Sequence, residues 1–67
     1  MNEEDLVDTI HRVRIGSYSR RAKITWLRKV ITDIDRYEHF TKAGYRIATH
    51  VYLTDEELLL YKLMFPK

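Results

Sequence analysis

Between Ser19 and Tyr37 lies the longest stretch of helical spacing in this chain, Ser-Arg-Arg-Ala-Lys-Ile-Thr-Trp-Leu-Arg-Lys-Val-Ile-Thr-Asp-Ile-Asp-Arg-Tyr. At about 100° per residue, Ile24, Leu27, Ile31 and Ile34 fall on one stripe, flanked by Trp26, Val30 and Tyr37. Arg21, Arg28, Lys29 and Arg36 fall on the opposite side. A helix over 19–37 therefore presents an apolar face to a core and a basic strip to its surroundings. The rest of the chain has to supply the cover for that apolar face.

The cover is scarce. With 67 residues the chain makes one small domain over 1–67. A domain of this size buries only about 60% of the surface that its unfolded chain exposes. There is no cysteine, so neither a disulfide nor a thiolate-held zinc can staple it. His11, His39 and His50 do not stand at a metal-ligand spacing, and no metal or other cofactor is expected. The apolar fraction, 45% with eight aromatics, is that of a folding chain. What remains as a staple is a partner, and a homodimer is expected.

Asn2 followed by Glu3, Glu4 and Asp5 reads as a helix start, with an N-cap and anions in the first turn. Leu6, Ile10 and Val13 repeat at i, i+4, i+7, and Gly16 suits a left-handed C′ position. This predicts a first helix over 3–15, although Arg12-Val13-Arg14-Ile15 also alternates as a short strand does. Ser17-Tyr18-Ser19 connects it to the second helix, which Ser19 can cap. Phe40 lies off the stripe of that helix, which places a bend or break near 38–41, and Ala43-Gly44 reads as a helix stop.

Residues 45–53, Tyr-Arg-Ile-Ala-Thr-His-Val-Tyr-Leu, alternate strictly and are rich in β-branched and aromatic side chains, so a strand is expected. Helical spacing also fits in part, through Phe40, Ala43, Ile47 and Val51. A lone strand leaves its backbone groups unpaired. It would pair with residues near 12–15, or with the same strand of a second copy. Thr54-Asp55-Glu56-Glu57 is a capping box ahead of an apolar run, and it starts a helix over 55–64 that Pro66 prevents from continuing. The expected class is mostly α, or α+β with 45–53 as a strand. That last helix is apolar almost all round, so Leu59, Tyr61, Leu63 and Met64 are candidate interface residues.

Charge is unevenly placed. Residues 1–8 carry four acids and no base, residues 9–32 carry seven bases and no acid, and residues 33–67 carry five bases and six acids. A basic block of that kind attracts phosphates or an acidic protein surface. The candidate binding residues are Arg20, Arg21, Lys23, Arg28, Lys29 and Arg36. No glycine-rich phosphate loop, nucleophile elbow or metal-ligand pair occurs, so the chain is not expected to be an enzyme, and no small-molecule substrate is expected. No apolar run approaches the roughly 20 residues that span a bilayer, and the acidic first residues are not a secretory signal, so a cytoplasmic protein without membrane contact is expected.

Helix, short turn and helix from 19 resembles helix-turn-helix in outline, but Arg12 and Ser17 stand where that motif takes a small buried and an apolar residue. A strand running into Leu53-Thr54-Asp55-Glu56-Glu57-Leu58 resembles the ribbon-helix-helix repressors, which have two helices after the strand where this chain has one. Neither assigns a family. The function expected is a small regulatory protein that binds nucleic acid on its basic helix. The alternative is an adaptor or inhibitor that docks the basic helix and the C-terminal helix on a larger protein.

Overall fold

In the computed structural model, which describes residues 9–66, the strand expected over 45–53 forms and is central. The order along the chain is β1 (His11–Arg14), α1 (Arg20–Val30), β2 (Tyr37–Lys42), β3 (Tyr45–Leu53) and α2 (Asp55–Met64). A single 3-10 turn, Ile34–Arg36, leads into β2. The sheet runs β1-β3-β2 and is antiparallel throughout. This is a small α+β domain built on its sheet. It corrects the expectation of a mostly α domain with N-terminal helices over 3–15 and 19–37.

The first correction is β1. His11-Arg12-Val13-Arg14 has the period of a strand, and β3 offers it a free edge, with Val13 opposite Val51 and Arg12 opposite Tyr52. Pairing that edge satisfies long-range backbone groups that a short N-terminal helix would leave unmet. Gly16, at φ +72°, turns the chain after a strand and not after a helix. Residues 3–8 of the expected helix and its Asn2 cap lie outside the described residues. With β1 a strand, the helix-turn-helix outline is gone. With β1 on one edge of β3 and β2 on the other, β3 has no edge left for a second copy.

The second correction is the length of α1, which ends at Val30. Val30-Ile31-Thr32 are three β-branched residues in a row, which restrict χ1 and lower helix propensity. Ile31 is extended, and the Asp33 carboxylate accepts from the Asp35 amide at 2.9 Å, closing a local turn in place of a further helical one. The stripe therefore buries Leu27 and Ile31 but leaves Val30 and Ile34 exposed. Ser19 sits at the N-cap with φ +52°, and its side chain makes no capping hydrogen bond. Ala43 and Gly44, at φ +51° and +82°, form a two-residue hairpin turn and not a helix stop.

α2 starts as its sequence requires. Thr54 Oγ1 accepts from the Glu57 amide at 3.3 Å, and the Glu57 carboxylate accepts from the Thr54 amide at 2.8 Å. Both helices cover one face of the sheet. Leu27 and Ile31 of α1, Val51 and Leu53 of β3, Ile15 after β1 and Tyr61 of α2 make the core. Trp26 seals the seam between the helices, its ring 6.1 Å from those of Tyr61 and Phe65. A bulge between Glu38 and His39 steps the register from His50 to Ala48 and leaves Thr49 as the extra residue on β3. Beyond it, His39, Thr41, Arg46 and Ala48 share the helix side, while Phe40, Lys42, Tyr45 and Ile47 share the open side.

Candidate nucleic-acid interface

The six basic residues singled out in the sequence divide into two groups. Lys23 is buried, 5% exposed, and its ammonium donates to the Ile15 carbonyl at 3.2 Å. Arg20 donates to the carbonyls of Gly16, at 3.4 Å, and Ala48. Both answer carbonyls that the sheet leaves open beside the turn into α1. Arg36 lies in the 3-10 turn and not on α1. It donates to the Tyr52 carbonyl at 2.7 and 3.1 Å and forks onto the Glu57 carboxylate, joining that turn to β3 and α2. The pair raises the Arg36 guanidinium above its ordinary pKa and lowers the Glu57 carboxyl below its own, both chiefly through that hydrogen bond. These three cations are occupied in holding the fold.

Arg21, Arg28 and Lys29 are exposed on α1 and form no ion pair among the described residues. Arg21 and Arg28 stand two turns apart on one line of the helix, with Thr25 between them. Across from them the hairpin brings Arg46, which shares the helix side with Thr41 and lies 3.3 Å from His39 Nδ1. Together they border a groove of about 600 Å³ whose walls include Arg20, Arg21, Ile24, Arg28 and Arg46 and, among the described residues, no carboxylate. A smaller cleft of about 310 Å³ continues from it past Arg28 toward Tyr37 and His39. Burial raises the pKa of the Tyr37 phenol, which donates to the Ile31 carbonyl at 2.8 Å. Arg46 and His39 belong to this surface and were missed in the sequence. The signal for them was Ala43-Gly44, because a two-residue turn sets Thr41 opposite Arg46.

On the opposite side neither helix covers the sheet. There Arg12 of β1 donates from Nε and Nη2 to the Glu38 carboxylate of β2 at 2.6 and 2.8 Å, and the Tyr52 hydroxyl of β3 donates to the same carboxylate. The Arg12 bond first, and the Tyr52 bond next, hold the Glu38 carboxyl down at about 2, and the same carboxylate pushes the Arg12 guanidinium and the Tyr52 phenol up. His50 Nδ1 lies 3.7 Å from Glu38 and 2.9 Å from Thr49 Oγ1. A nucleophile–base–carboxylate relay uses the two ring nitrogens separately, and here both contacts fall on one. His11 pairs with Asp55 at the start of α2.

Of the candidate interface residues on α2, Leu59, Leu63 and Met64 are exposed, together with Leu60. Tyr61 is not available to a partner. It is 6% exposed within the core, and its hydroxyl has no hydrogen-bond partner among the described residues. Among those residues, no three metal-ligating side chains converge and no helix is long and apolar enough to cross a membrane. No family model, curated protein or solved structure matches the chain.

Proposed function

We propose that this chain is a small non-enzymatic regulatory protein that binds nucleic acid in the groove between α1 and the β2–β3 hairpin. The observation that carries the reading is a groove with Arg21 and Arg28 on one wall, Arg46 on the other, and no carboxylate among the described residues between them. Guanidinium groups fork onto phosphate oxygens, and a path of them tracks a phosphate backbone. Three phosphates neutralised on duplex DNA give a salt slope of about −2.7, or a loss of about 40-fold in affinity between roughly 50 and 200 mM salt. A fluorescence titration at those two concentrations tests this. Replacing Arg21, Arg28 and Arg46 together with alanine is expected to abolish most of the slope, while the same change at Arg20, Lys23 and Arg36 costs stability. Absence of binding at low salt, to duplex and to single strand alike, would remove the reading.

The outer face of α2 supports a second contact, with protein. Leu59, Leu60, Leu63 and Met64 form one apolar strip on a helix whose first turn is acidic and whose last turn holds Lys62. Two such helices packed antiparallel across a two-fold axis oppose their dipoles and set the acidic first turn of each beside the last turn of the other. The occupant assigned to this strip is therefore a second copy of the chain. Light scattering at tens of micromolar is expected to give a dimer mass, reduced to the monomer by Leu63→Glu. A monomer mass for the unaltered chain would leave the strip to a different protein, as in an adaptor or inhibitor.

A further inference from the structure

We infer that the ligand of this chain is a single strand of nucleic acid, whose bases stack on Phe40 and Tyr45 of the open sheet face while its phosphates lie in the arginine groove. The inference rests on the nucleic-acid reading above and adds the kind of strand. The hairpin register pairs Phe40 with Ile47 and Lys42 with Tyr45, so all four side chains stand on the side that neither helix covers. Phe40 is 56% exposed and Tyr45 72%. In a domain with so small a core, two rings left in water on one sheet face are conspicuous. Diagonal neighbours across an antiparallel pair stand about 7–8 Å apart, within reach of two successive bases.

The charge of the face suits the same ligand. Arg14 and Lys42 are exposed on it without an ion pair among the described residues. Its one acid among those residues, Glu38, is already matched by Arg12 and Tyr52. The platform and the groove also touch. Ile47 stands beside Phe40 on the open face and contributes to the groove wall next to Arg46. A strand can thus lay its backbone against the arginines and turn its bases over the hairpin. Bases in a duplex are stacked on each other and present no free ring face, whereas every unpaired base does. Exposed aromatic rings beside a basic track therefore select the unpaired form.

The test is a set of titrations with a labelled mixed-sequence strand of about 12 nucleotides, as DNA and as RNA, and with the duplex of the same sequence. Both single strands are expected to bind at least about tenfold tighter than the duplex, with any gap between them reporting on the 2′-hydroxyl. Phe40→Ala with Tyr45→Ala is expected to lower single-strand affinity by about tenfold or more and to leave the salt slope unchanged, because stacking releases no counterions. Phe40→Trp preserves the platform, should bind like the parent, and should show new emission that a single strand quenches. That variant decides the matter if the double alanine variant fails to fold. Duplex binding as tight as single-strand binding, or no quenching of Trp at position 40, overturns the inference and leaves the groove reading standing provided the salt slope persists. Binding of neither polymer overturns both.

Discussion

Lys23 and Arg21 are two residues apart in one basic block and do unrelated work. Lys23 points under α1 and answers the Ile15 carbonyl, while Arg21 stands on the groove wall without an ion pair among the described residues. Tyr61 shows the same divergence on α2. It sits among apolar neighbours that face outward, yet its own ring is in the core, where burial raises the phenol pKa and its hydroxyl is unpartnered among the described residues. An unpaired buried hydroxyl costs its desolvation, so Tyr61→Phe is expected to stabilise the fold by about 1 kcal/mol. Urea unfolding should show a higher midpoint with an unchanged slope. A lower midpoint would mean that the hydroxyl is satisfied in solution. Of the six basic candidates, charge counting could find Arg21, Arg28 and Lys29 on the surface. It could not separate them from Arg20, Lys23 and Arg36, because their carbonyl and carboxylate acceptors come from distant strands and from α2.

At the scale of the element, local chemistry was legible where it is self-contained. The capping box specifies α2 from four adjacent residues, and the alternation of 45–53 specifies β3. β2 was not legible, since Tyr-Glu-His-Phe-Thr-Lys has neither period clearly and gains its strand character by pairing with β3. The turn between them is imperfect for its geometry. Ala43 holds φ +51°, a region that costs an L residue with a Cβ about 1–2 kcal/mol, and Asn tolerates it better. Ala43→Asn creates the Asn-Gly pair favoured in such turns and is expected to stabilise the domain by about 0.5–1 kcal/mol. Differential scanning calorimetry would read this as a raised Tm. No rise would mean that Ala43 carries no measurable strain in the left-handed region.

Across the whole molecule, two carboxylates with depressed pKa values join elements far apart in sequence. Glu38 ties β2 to β1 and β3, and Glu57 ties α2 to the turn before β2. Both carboxyls are held below their ordinary value of 4.5, Glu38 at about 2. A group whose pKa is depressed on folding adds stability above its unfolded value and loses it as pH falls toward its folded value. Acid unfolding is therefore expected to set in below about pH 4.5 and to deepen toward pH 2. In Glu38→Gln the urea midpoint should be lower at neutral pH and should fall less across that window. An unchanged pH profile in that variant would remove Glu38 from the linkage. Both groups are solvent-accessible, so salt should weaken the effect.

By itself the sequence determined the parts whose causes lie within a few residues: the α2 start, the β3 alternation, the apolar stripe of α1 through Ile31 and the basic excess over 9–32. Only the tertiary structure decided that 11–14 and 37–42 are strands, which bases are consumed by carbonyls, and that Arg46 faces Arg21 and Arg28 across a groove. The reason is physical. A helix closes its hydrogen bonds with itself, so its residues announce it, whereas an edge strand becomes one only when a neighbour supplies its partners, and that neighbour lies elsewhere in the chain.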